Sequence, residues 1–141
     1  AGLINRDPEA REKISNDMLD RGADATVVDY GQNTLTLLLS HDDLGDGDAA
    51  LVRRLVEAGA DVNFRESHGD TPIKLAVKIG AESDEQRRPI YEALFGKDVD
   101  LDEPSSVRNP KNKIGEWLRM CVDHQPEGLK VLDEFLTARG F

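Results

Sequence analysis

Apolar residues recur along the chain in groups spaced four or five apart, which places them on one face of a helix. Ile14 stands with Met18 and Leu19, Leu51 and Val52 with Leu55 and Val56, and Ile90 and Tyr91 with Leu94 and Phe95. Each group runs into a related turn. Arg21-Gly22-Ala23-Asp24-Ala25-Thr26 recurs 37 residues later as Ala58-Gly59-Ala60-Asp61-Val62-Asn63, and a degraded copy follows at Lys97-Asp98-Val99-Asp100-Leu101-Asp102. The glycine in this stop suits a left-handed helix terminus. A second motif, Gly69-Asp70-Thr71-Pro72-Ile73-Lys74-Leu75-Ala76-Val77, lies between the copies, with a weaker relative from Gly31 to Leu39. Thr71 is placed to cap a helix whose first turn accepts Pro72, because proline lacks the amide hydrogen that would be orphaned there. Each period therefore predicts a capped short helix, a loop, a second helix and a Gly-Ala-Asp stop.

These residues resemble ankyrin repeats, which read Gly-x-Thr-Pro-Leu-His-x-Ala through the first helix and Leu-Leu-x-x-Gly-Ala-Asp-Val-Asn after the second. The best register runs from Leu51 to Gly80, with Glu66 to Ala76 in step and Gly80 at the glycine that ends the first helix. The resemblance implies an all-α, ankyrin-like α-solenoid of stacked helix-turn-helix units joined by hairpin loops. One domain would span 1–141: a partial unit at about 1–26, units at about 27–63, 64–102 and 103–141, the last a divergent C-terminal cap. Second helices are expected at about Glu9 to Arg21, Ala49 to Ala58, Arg87 to Phe95 and Glu127 to Ala138. First helices are expected near Thr34 to Ser40, Thr71 to Ile79 and Lys111 to Asp123, and the first unit lacks one unless Ala1 to Ile4 is its remnant.

Several positions depart from the family pattern. The spacings of 37 to 41 residues exceed the usual 33, and the excess falls at His41 to Asp48 and Ala81 to Arg88. Lys74 and Thr36 occupy the place of the family's histidine, which bridges adjacent hairpins. Trp117 falls where a small alanine belongs, a bulk expected to close the stack.

Composition agrees with a thin architecture: 38% of the 141 residues are hydrophobic and 5% aromatic, against 33% charged. The 28 acidic and 18 basic side chains give a net charge of −10, which argues against nucleic acid and favours a soluble protein with a basic partner. Acidic blocks lie at Asp42, Asp43, Asp46 and Asp48 and at Asp98, Asp100, Asp102 and Glu103, whereas Arg108, Lys111, Lys113 and Arg119 make the last unit locally basic. A single cysteine, Cys121, excludes an internal disulfide framework and is compatible with a reducing, cytoplasmic setting. No apolar run approaches the roughly 20 residues that span a bilayer. Ala1 in place of methionine implies processing or truncation upstream.

Candidate chemistry is sparse. The Asp42 to Asp48 stretch invites a calcium loop, but Leu44 would take the third position and Arg53 the twelfth, where a bidentate glutamate is needed. Asp48 is better read as the cap of the next helix. Cys121 and His124 share a helix face without a second ligand pair, so a thiol packed on the terminal cap is expected. No nucleophile elbow, Walker loop or His-Glu-x-x-His motif occurs, and no catalytic, cofactor or metal residue is assigned.

What the resemblance implies is a non-enzymatic protein-interaction module, binding through a concave surface of hairpin tips and first helices. Carried over in register, that surface comprises Asp29, Tyr30, Gln32, Ser40 and His41, then Ser67, His68, Asp70, Lys78 and Ile79, then Arg108, Asn109, Lys111, Arg119 and Met120. Tyr30 and Met120 are residue types enriched at interface centres; for Tyr30 the alternative is packing on its own hairpin. A monomer is expected. Other versions are an immunity-like or antitoxin-like inhibitor of a basic enzyme, a fragment of a longer scaffold, and a module that self-associates through its repeat ends around Ile14 and Met18.

Overall fold

The computed structural model describes residues 2–106, 108 and 111–141. They form a mostly helical fold. A 3-10 turn at Gly2–Ile4 leads into α1 (Pro8–Asp20), and a two-residue antiparallel ladder follows, β1 (Val28–Asp29) against β2 (Gln32–Asn33). Then come α2 (Thr34–Leu39), α3 (Asp48–Glu57), α4 (Pro72–Lys78), α5 (Asp84–Gly96), α6 (Ile114–His124) and α7 (Lys130–Ala138). The small ladder is an addition to the all-α expectation; it forms because Tyr30 and Gly31, both at positive φ, turn the chain sharply enough to pair its flanks.

Helix starts follow the local chemistry, with corrections to two expected caps and three expected starts. Asp7 caps α1 by accepting from the Glu9 amide at 3.2 Å, ahead of Pro8. Asn33 and Thr36 form a reciprocal capping box on α2, each side chain accepting from the other's amide at 2.9 Å. Thr71 precedes α4 in extended conformation but makes no cap; its buried Oγ1 has no partner. Asp48 is not the cap of α3 either. It is the first helical residue, and its carboxylate turns back to accept from the Gly45 amide at 2.7 Å. Helix α5 starts at Asp84, three residues ahead of expectation, so that Pro89 lies inside it, while α6 and α7 each start three residues late.

Neighbouring helices pack along the chain order: α2 on α3 and α4, α3 on α1 and α5, α4 on α5, and α7 on α5 and α6. The apolar faces of α3 and α5 form the middle of the core, with Leu51, Val52, Leu55, Ile90, Tyr91 and Leu94 all at most 2% exposed. At the α5–α7 contact, Phe135 sits 5.8 Å from the Tyr91 ring and 5.2 Å from Phe95.

Two buried polar clusters position these helices. Arg11 of α1 and Asp48 of α3, each 1% exposed, pair through two hydrogen bonds of 3.0 and 2.5 Å, and Arg11 also donates to the Asn5 carbonyl at 2.8 Å. Asp84, at the start of α5, accepts from the Val131 and Leu132 amides at 2.8 Å and so caps α7, whose own cap position holds Leu129. The other Asp84 oxygen accepts from the Tyr91 hydroxyl at 2.7 Å and from Arg87 at 3.3 Å. Burial, together with this carboxylate, pushes the Tyr91 phenol far above its ordinary pKa.

Candidate functional site: a row of hairpin tips

Three turns with one construction precede the hairpins. Asp24, Asp61 and Asp100 each accept from the backbone amide two residues on, at 2.9, 2.8 and 2.9 Å, and each turn leads into a hairpin. The hairpins are the β1–β2 pair, a tight turn closed by the Glu66 amide donating to the Asp70 carbonyl at 2.9 Å, and a bridge between Pro104 and Lys113.

Adjacent hairpins are joined tip to tip. The Ser67 amide donates to the Gly31 carbonyl at 3.0 Å, and Gln32 Nε2 donates to Glu66 at 3.0 Å. Gly31 permits this approach: a Cβ there would stand 2.8 Å from the Ser67 Cβ, and its φ of +73 disfavours any side chain. Glu66 is the hub of the contact, accepting also from the Asp70 amide and from His68 Nδ1, both at 2.9 Å. Burial opposes its ionisation, but the bonds from Asp70, His68 and Gln32 outweigh it and hold the carboxyl below its ordinary range. The second and third hairpins are joined by Arg65, which donates to the Pro104 carbonyl at 2.5 Å, and by Lys74, which donates to the Ser105 carbonyl. Lys74 is 5% exposed, with its ammonium 4.9 Å from the Trp117 ring centroid and 3.3 Å from Asp70.

The candidate partner residues fall into distinct groups. Asp29, Tyr30 and Gln32 lie on the first tip, Ser67, His68 and Asp70 on the second, and Lys78 projects beside them, paired with Asp70 at 3.1 Å. Tyr30 does not pack on its hairpin: it is 93% exposed, and its φ of 51 is unfavourable for a bulky residue. Arg108 and Lys111 are exposed near the third tip, Met120 is exposed on α6, and Ser40 is exposed at the end of α2. Asn109 lies outside the described residues.

Three candidates are corrected. Ile79 is 3% exposed and belongs to the core, since it closes the apolar face of α4. His41 is half-buried and tied to the N-terminal turn, with Nε2 donating to the Leu3 carbonyl at 2.6 Å. Arg119 is a clamp between α6 and α7, donating to Asp133 at 2.6 Å, the Phe141 carbonyl at 2.7 Å and Thr137 at 3.2 Å. The bond from Arg119 holds the Asp133 carboxyl below its ordinary pKa.

The sequence reading missed Glu66, Gln32's bond to it, and Arg65, because pairing across units has no local signature. Half-burial pushes the Cys121 thiol up, an effect that the nearby lysines only partly offset. Among the described residues, no group of three or more His, Cys, Asp and Glu could share a metal ion, and no helix is long and apolar enough to cross a membrane.

No family model matches the chain. Its fold is similar to that of a functionally unknown protein from Leptotrichia buccalis C-1013-b, whose crystal structure aligns with 99% of this chain and 75% of its own at a TM-score of 0.73 and 20% identity. At that identity the likeness concerns the fold alone.

Proposed function

We propose that this protein is a non-enzymatic interaction module, built as a divergent ankyrin-like stack, that binds another protein along the row of hairpin tips. The observation that carries this reading is Tyr30. A bulky aromatic held at positive φ and 93% exposed lowers stability where it stands, with its ring turned to solvent. An aromatic side chain of this kind is a ready anchor at an interface centre. The joined tips set Tyr30 beside Ser67 and His68, and the second tip continues to Lys78, so a partner could engage several of them at once. Lys74 supports the ankyrin-like reading, since it bridges to the next hairpin from the position of the family's histidine. A net charge of −10 favours a partner with a basic patch, and the compartment that fits is the cytoplasm.

Photo-crosslinking tests this in the source cells. A crosslinking amino acid at Tyr30 or Ser67 is expected to trap the same partner, whereas one at Arg53, exposed on α3, is expected to trap none. Equal trapping from Arg53, or loss of neither crosslink when salt is raised and His68 and Lys78 are replaced by alanine, refutes the tip surface as the site.

A further inference from the structure

Helix α1 buries Arg11 and Ser15 where its counterpart α3 buries Asp48 and Val52, but leaves uncovered the apolar residues beside them. At the 37-residue spacing Ile14 and Met18 correspond to Leu51 and Leu55, which are 1% and 2% exposed in α3, yet Ile14 and Met18 are 40% and 41% exposed. Beside this uncovered face lies a cleft of about 300 Å³ between α1, the first hairpin and α2, with an apolar floor that includes Met18, Leu19, Ala25, Leu37 and Leu55. The 3-10 turn Gly2–Ile4 touches both α1 and α2 at one end of it.

Two features say what the cleft would take. Its charged lining residues are Asp24 and Asp29, with no lysine or arginine among the lining residues, so the rim attracts cations. The second feature is the apolar floor, whose Met18 is 41% exposed. An occupant with an apolar face and cationic groups at its edge would satisfy both, and the molecule contains such a segment. α4 lays Ile73 and Ala76 into the core beside α2 while carrying Lys74 and Lys78.

We infer that this cleft is a docking groove for a short amphipathic helix with aliphatic residues on one face and lysine or arginine along its edge. It adjoins the tip surface, sharing Asp29 and Gln32 with it, while Tyr30 does not line it.

The test uses the full chain and a fluorescein-labelled, side-chain-stapled peptide of residues 71–80 extended by two lysines, with a scrambled stapled peptide as control. Stapling is needed because so short a helix is marginal in water. Fluorescence anisotropy is expected to show saturable binding that weakens as salt rises. Met18→Asp, at an exposed position, should lower affinity at least tenfold, Asp29→Lys should lower it and flatten the salt dependence, and Tyr30→Ala should leave it unchanged. Circular dichroism of each variant checks that the fold is retained. Absence of binding, equal binding of the scrambled peptide, or indifference to Met18→Asp overturns the groove. So does a wild-type dimer in light scattering that Met18→Asp dissolves while the peptide fails to compete, because the face would then be covered by a second copy.

Discussion

Replacing Asp84 by alanine should cost more stability than any other single change at the α5–α7 contact. The carboxylate is fully buried and accepts four hydrogen bonds, from the Val131 and Leu132 amides, the Tyr91 hydroxyl and Arg87. Alanine would strand the Tyr91 hydroxyl at a position 0% exposed, leave Arg87 without its counter-charge and uncap α7. Breaking a buried charge pair by removing one partner costs about 3–5 kcal/mol, and a lost helix cap alone accounts for about 1 kcal/mol. These losses overlap, so the expected total is about 4 kcal/mol. At a urea slope of about 2 kcal/mol per molar, the unfolding midpoint should fall by about 2 M. Asp84→Asn, which keeps the shape and one acceptor oxygen, should fall by roughly half as much. Tyr91→Phe removes one bond and should cost about 1 kcal/mol. Hydrogen exchange supplies the local readout: the Val131 and Leu132 amides should lose protection in Asp84→Ala. A variant within about 0.5 kcal/mol of wild type, the range of ordinary surface changes, with both amides still protected, refutes the assignment of Asp84 as the cap of α7.

Arg11→Met should destabilise by about 3 kcal/mol in thermal or urea melts, because it leaves the buried Asp48 carboxylate with the Gly45 amide but no counter-charge. The Tyr91 phenol, raised in the folded state, keeps its proton after the unfolded chain's tyrosine has ionised. Its contribution is therefore complete below about pH 10, and stability should fall above that by about 1.4 kcal/mol per pH unit, a fall that Tyr91→Phe lessens in urea titrations. Glu66 has the opposite sign: its lowered pKa contributes stability above the ordinary value of 4.5 that is lost as pH drops through the folded value, and Glu66→Gln should flatten this acid limb. Tyr30→Asn should raise stability by about 0.5–1 kcal/mol, since asparagine tolerates positive φ, while weakening partner binding; a neutral or destabilising result refutes strain at the tip.

Helix order was legible because two local signals agree: apolar groups at helical spacing, and Gly-Ala-Asp stops whose aspartates bind the amide two residues on. Those signals placed α2 through α4 within about two residues, because each is bounded by residues such as Asn33 or Pro72 whose preferences act within a single turn. They misjudged the cap at Thr71, whose buried Oγ1 finds no partner, and the role of Asp48, since a carboxylate can reach either its own helix or a distant partner. Arg11, 37 residues away, decided the matter for Asp48.

The candidate site divides in the same way. The sequence by itself determined which residues stand at the tips, since turn chemistry is local. Only the tertiary structure decided which of them are free: Tyr30 is exposed, Ile79 is core, and His41 and Arg119 are held by the backbone of Leu3 and Phe141 and the carboxylate of Asp133. Those partners lie 14 to 38 residues away. The same holds for the face of α1, whose apolar spacing is that of a buried helix; whether such a face is covered depends on which elements pack against it, and that is settled only when the whole chain is folded.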